Sequence, residues 1–138
     1  MSEPEISIED ASQYDSGTTI AMIAEGLFFL NLFLLPVVGF VILALLYLRQ
    51  RRHESRLARN HLKQALVAAG ITTVLFLPIV LIVLDSGFKS FALLIAVEIY
   101  LVAVVTPFAI VATFGLLKAM SQQEYRYPLI GKYLIEEE

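Results

Sequence analysis

Three stretches without a single charged residue limit what this chain can fold into. Residues 26–48, 64–84 and 99–117 run for 23, 21 and 19 positions with no Asp, Glu, Lys or Arg. Each is close to the roughly 20 residues that cross a hydrocarbon core of about 30 Å at about 1.5 Å per residue. Strands and core helices of water-soluble domains are shorter, and 138 residues leave too little polar surface to wrap three such segments. In lipid every backbone donor and acceptor must be paired within its own segment, which predicts helices. That requirement overrides the strand preference of Val80, Ile82, Val83, Val104 and Val105. The expected fold is therefore all-α: an integral membrane protein with three transmembrane helices, over 18–48, 64–84 and 91–118. The first segment, at 31 residues, is too short for two crossings and a turn, so one tilted helix is predicted. Pro36, Pro78 and Pro107, one per helix, are candidate kinks.

Composition agrees. Apolar residues make up 58% and charged residues 17% of the chain, against about 45–50% and about 25% in soluble domains. The absence of cysteine excludes disulfides and thiolate chemistry. His53 and His61 are the two histidines, with no Asp or Cys alongside, and cannot alone make a zinc cage. Catalytic triads, paired buried carboxylates and glycine-rich phosphate loops are missing, so a non-enzyme with no catalytic, cofactor-binding or metal residues is expected.

The basic residues predict orientation. Arg49, Arg51, Arg52, Arg56, Arg59 and Lys63 fill the loop 49–63, and Lys118, Arg126 and Lys132 follow the third helix; Lys89 alone sits in the loop 85–90. The positive-inside rule places the two basic regions in the cytoplasm. The acidic segment 1–17, which reads as a flexible tail, then lies outside, giving an N-out, C-in topology. No Lys or Arg precedes the first apolar run, so a signal peptide is not expected. The cluster from Arg49 to Lys63 holds topology and attracts anionic lipid headgroups. It has no interleaved aromatics on which bases could stack, so nucleic acid is not an expected partner.

Few polar groups remain to carry chemistry. Glu98 would lie about 10 Å deep if the third helix enters lipid at Phe91, and would touch the interface if it enters at Val97. Glu98 and Glu25, the latter expected toward the outer side with Lys89, are candidates for a proton- or cation-handling carboxylate or for an ion pair with Lys89 or a partner subunit, and Asn31, the polar group inside the first run, should face protein. Ala65, Ala69 and Thr73, and likewise Ala109 and Thr113, repeat at a spacing of four and predict close helix packing. Beyond the third helix, Tyr125, Tyr127 and Tyr133 suit an interfacial aromatic belt. Pro128 suits the first turn of a short amphipathic helix carrying Leu129, Ile130, Tyr133 and Leu134 on one face, within a cytoplasmic interfacial segment 119–138.

Two motifs carry a resemblance. His61-Leu62-Lys63-Gln64-Ala65-Leu66 opens the second helix, and Tyr125-Arg126-Tyr127-Pro128 follows the third. With three hydrophobic segments in about 110 residues, the region 21–133 resembles the Tic-twenty-like family of small bacterial membrane proteins. That group includes a domain of unknown function and is named for a subunit of the chloroplast inner-envelope protein translocon. The family usually carries Asn and Gln where this chain has Val67 and Ala69. The resemblance implies a helical, multi-pass protein of the bacterial cytoplasmic membrane. The functional expectation is a small non-catalytic membrane subunit that binds membrane lipids and assembles into a homo-oligomer or with other membrane subunits. The alternative is a transport or translocation component whose polar path, using Glu98 and Asn31, forms only in an oligomer.

Overall fold

The computed structural model describes residues 8–34 and 36–134, the stretch 9–15 by its backbone alone. Residues 1–7 of the acidic tail, and residues 135–138 of the C-terminal segment, lie outside the described residues. Among those described there is no strand, and three helical stretches are long and apolar enough to cross a membrane: Ser16–Phe33, Arg56–Ser86 and Phe91–Met120.

The segment 18–48, expected as one tilted helix, is instead two. α1 spans Ile8–Phe33 and α2 spans Pro36–Gln50. Pro36 has no N–H to continue the ladder and disfavours helical geometry in the residue before it, so it starts a helix instead of kinking one. Helix α1 thus begins well before position 18, inside the segment expected to be a flexible tail. The chain doubles back, and α2 packs on α1 where Gly39 meets Asn31: a Cβ at Gly39 would lie 2.5 Å from the Asn31 Cβ. Two full crossings are not required, because α2 is only 15 residues long, about 22 Å.

α3, Arg56–Ser86, is the central element. Ser55 caps its start, accepting a hydrogen bond from the Ala58 N–H at 3.4 Å, and Gly87 ends it at φ 71°, its N–H bonded to the Val83 carbonyl at 2.9 Å. Pro78 is accommodated within the helix. The third apolar stretch comprises α4 (Phe91–Tyr100), a π-helical turn over Leu101–Val105, and α5 (Thr106–Met120). Pro107 cannot donate to the carbonyl one turn back, and the wide turn just before it absorbs that break, with the Thr106 hydroxyl bonding the Leu101 carbonyl at 2.9 Å.

Side-chain pairings give the helix directions. α1 runs parallel to α3, with Ser16 beside His53, Glu25 beside His61 and Asn31 beside Thr72. α5 runs antiparallel to both, with Phe28 against Phe108 and Glu25 against Gly115. The start of α1, the basic loop 51–55 and the segment after α5 therefore share one end of the bundle. This corrects the expectation that the N-terminal end lies opposite the basic loop: the hairpin returns the chain to the side it started from.

The core follows from these directions. Ala24, Phe28, Leu43, Leu62, Ala65, Ala68, Ala69 and Ala112 interlock with Tyr127 near the basic end. A smaller layer of Leu32, Ile79, Tyr100 and Val105 closes the hairpin tip. The alanines on α3 let α1 and α2 approach on either side.

Candidate functional site: a sealed carboxylate, imidazole and phenol

The segment after α5 is not the amphipathic surface helix expected. Only Gly131–Leu134 is helical (α6), and residues 122–127 run as an irregular strap back along α3. The Lys118 carbonyl takes the Gln123 N–H at 2.8 Å, and Gln122 adopts a left-handed φ of 57°, turning the chain back. Gln64 then acts as a substitute strand. Its Nε2 donates to the Tyr125 carbonyl at 2.7 Å, and its Oε1 accepts the Tyr127 N–H at 2.6 Å. One carboxamide thus satisfies a donor and an acceptor of a backbone that would otherwise be buried unpaired. Leu129, at φ 70°, turns the chain again into α6.

This strap carries Tyr127 into the bundle, where it is 2% exposed instead of lying in an interfacial belt. Its hydroxyl donates a short hydrogen bond to Glu25 Oε2. The other carboxylate oxygen lies 2.6 Å from His61 Nδ1, and His61 Nε2 lies 3.2 Å from the Gln123 carbonyl. Glu25 and His61 are fully buried. Gly115 supplies the room: a Cβ there would sit 2.5 Å from Glu25 Oε2. Around the rim, Arg56 pairs with Glu124 at 2.7 Å, the Asn60 amide reaches the same carboxylate at 3.4 Å, and Lys118 donates to Gln123 Oε1 at 2.8 Å.

Hydrogen-bond bookkeeping defines the protons. The Gln123 carbonyl only accepts, so Nε2 of His61 carries a hydrogen. One proton then lies between Nδ1 and Glu25 Oε1, whether on nitrogen as an ion pair or on oxygen as a neutral pair. Two protons would set donor against donor, and none would set lone pair against lone pair. Burial first, and then the neighbouring Glu25 charge, push the Tyr127 phenol well above its usual range, keeping it a donor. Every reactive atom of the cluster faces protein. It can hold the strap and fix a proton, but it offers no opening for a substrate.

The residues singled out from sequence separate clearly. His61 and the Tyr125-Arg126-Tyr127-Pro128 motif come together, bridged by Gln64, while Ala65 and Leu66 pack beneath them. Glu25 joins this cluster at the basic end and not, as expected, the outer side with Lys89. Asn31 faces protein, donating to the Thr72 hydroxyl at 3.2 Å, and its Oδ1 has no partner among the described residues. Glu98 is exposed on α4, whereas Asn31 is fully buried. Ala69 is buried, and the Thr73 hydroxyl bonds the Pro36 carbonyl at the hairpin tip at 2.9 Å. Thr113 is exposed and bonds its own helix at Ala109; Ala112, Gly115 and Ala119 form the buried face of α5. Of the basic cluster, Arg49, Arg51 and Arg52 are exposed, Arg59 donates to the His53 and Glu54 carbonyls at 2.5 and 3.0 Å, and Lys63 is half-buried. Sequence reasoning missed that Glu25, His61, Gln64 and Tyr127 form one unit. The available signal was His61 and Gln64, three apart on one helix face, entering an apolar run beside a lone Glu25.

Fold and cluster together define a polytopic helical membrane protein with a self-contained polar lock at its basic end. Residues 16–134, well over half of the 138, match the magnetosome magnetite crystal formation protein family (MamF/MmsF), and the chain belongs to that family. No curated protein and no solved structure matches significantly. The family match overturns the resemblance to the Tic-twenty-like group. Two short motifs and three apolar segments are features that small helical membrane proteins share, whereas the family match runs over nearly the whole bundle.

Proposed function

We propose that this protein is a non-catalytic membrane subunit of magnetite crystal formation, resident in the magnetosome membrane and acting through its folded surfaces. The single observation that carries this reading is the fate of its polar groups. A fully buried carboxylate–imidazole pair is spent on fastening the chain to itself, inside a protein whose family is named for crystal formation. A transport path through Glu98 and Asn31 gains no support, since one faces outward from α4 and the other is bonded to Thr72 inside the bundle.

The test is genetic and electron-microscopic. In a magnetite-forming bacterium that carries this protein, removing it should change crystal size or shape while vesicles still form. Restoring it with Glu98→Gln should return the crystals to normal. Unchanged crystals after removal would refute the reading. Proton or iron(II) flux through liposomes holding the purified protein, abolished by Glu98→Gln, would replace it with transport.

A further inference from the structure

The hairpin of α1 and α2 does not reach across the bilayer. Its turn is pinned where the Thr73 hydroxyl donates to the Pro36 carbonyl at 2.9 Å, and Thr73 lies at the middle of the charge-free run 64–84. At 1.5 Å per residue that is a depth of about 15 Å from either end of the run. Lipid supplies no donors there, so the protein must. From the turn α2 returns along α3, with Phe40 lying against Gly70. The two halves of the bundle therefore differ in girth. On the basic side of Thr73, among the described residues, α1, α2, α5 and the first half of α3 pack together, with the strap and α6 against them. Beyond it the rest of α3 continues with α4, joined through Phe76, Ile79, Leu93, Ala96 and Tyr100. At roughly 10 Å per helix, the broad half exceeds the narrow one by about two helix cross-sections.

The exposed side chains of the narrow half are large: Val74, Leu77, Leu81, Leu84 and Leu94. The alanines of α3 that are buried against other helices, Ala58, Ala65, Ala68 and Ala69, all lie in the broad half. Small residues let helices close on one another, whereas a coat of leucine suits acyl chains. Glu98 is the one carboxylate exposed on α4, and a second copy docked there is the alternative that the test detects. We propose that the chain is a wedge whose partner is a curved lipid surface: it gathers in membranes that are convex toward its basic end, with lipid filling the space beyond the hairpin turn. On the convex side of a small vesicle the leaflet is stretched and packs loosely, while the opposite leaflet is crowded. A protein broad in the first and slim in the second relieves both. The preference has a sign, because the same chain inserted the other way round aggravates both. It follows from the fold alone, independent of the role in crystal formation.

The experiment places the full chain in giant vesicles of phosphatidylcholine and phosphatidylglycerol, from which a narrow membrane tube is pulled outward. The chain has no cysteine, and Arg51 and Ser86 are both exposed. An impermeant thiol dye added outside marks Arg51→Cys where the basic end faces out, and Ser86→Cys where it faces in. Relative to the parent vesicle, and per lipid, tube fluorescence should rise about threefold for Arg51→Cys and fall about threefold for Ser86→Cys, the scale set by modest bilayer-packing costs. Equal densities in the two orientations would overturn the proposal, and would mean that a second copy completes the narrow half. Enrichment of the Ser86→Cys population would also overturn it. The depth of the turn is read separately. The chain has no tryptophan, so Leu34→Trp, at an exposed position beside the turn, reports alone. Lipids brominated near the ends of their acyl chains should quench it most, whereas Phe88→Trp should be quenched most by bromines near the headgroup. Headgroup-level quenching of Leu34→Trp would put the turn at a membrane surface and overturn the wedge.

Discussion

At the scale of single residues, the proton shared by Glu25 and His61 makes sharply different substitutions distinguishable. Glu25→Gln can donate from its amide to His61 Nδ1 and accept from Tyr127 with its oxygen, reproducing the neutral form of the pair. It should therefore cost only about 1 kcal/mol. In the same neutral form, His61→Leu leaves the Glu25 Oε1 hydroxyl buried without its acceptor and should cost more, about 3 kcal/mol with the lost packing. Adding Glu25→Leu to His61→Leu should recover part of that loss, because the stranded polar group is gone. Thermal melts in a fixed detergent would order the three variants, and a Glu25→Gln loss as large as that of His61→Leu would show that the pair is ionic and needs its charge. The signal for this site was faint in the sequence for a physical reason. A carboxylate in an apolar run is visible, but its partners lie 36 and 102 residues away, and only the parallel α1–α3 pairing and the returning strap bring them together.

At the scale of elements, two contacts govern the hairpin and the strap. A Cβ at Gly39 would lie 2.5–2.9 Å from the backbone and Cβ of Asn31, so Gly39→Ala must push α1 and α2 apart, whereas a Cβ at Gly26 would meet nothing within 4 Å. Gly39→Ala should destabilise by about 1–3 kcal/mol through overpacking. Gly26→Ala, in the same hairpin, should be neutral or slightly stabilising through helix propensity. Denaturant titration of both would check the pair, and equal effects would refute the close approach. The strap has a pH signature. Folding raises the Tyr127 phenol's affinity for its proton, so the stabilisation is intact at neutral pH. It should be lost as pH climbs beyond the ordinary tyrosine range near 10, where the unfolded phenol ionises and the buried one resists. Protease cleavage after Arg126 should accelerate there, and Tyr127→Phe should be more easily cleaved already at neutral pH. Helix content and the three long apolar spans were legible because lipid demands continuous apolar length. The hairpin and the strap were not, because both depend on tertiary partners: Gly39 against Asn31, and Gln64 standing in for a neighbouring strand.

At the scale of the whole molecule, the hairpin reverses a topological conclusion. Counting apolar runs yields an odd number of crossings and opposite sides for the two ends, yet α1 and α2 together return the chain to its starting side. The start of α1 touches the basic loop, with the Ser16 hydroxyl 3.5 Å from His53 Nε2, and the strap after α5 lies along the same end. The basic residues still obey one rule, since nine of the ten gather there and Lys89 alone marks the other end. What changes is the position of the N-terminal end, which is drawn to the cationic side. Its acidic composition then has a local electrostatic reason, since Glu9, Asp10 and Asp15 belong to the first turns of α1, whose start packs beside a loop rich in arginine. The chain has no cysteine, so single cysteines report cleanly. In sealed vesicles of one orientation, Ser16→Cys and Arg51→Cys should react with an impermeant thiol reagent from the same side, and Ser86→Cys only from the other. Labelling of Ser16→Cys together with Ser86→Cys, and apart from Arg51→Cys, would mean that the chain crosses once between Ser16 and the basic loop, and the hairpin would have to open into a single helix.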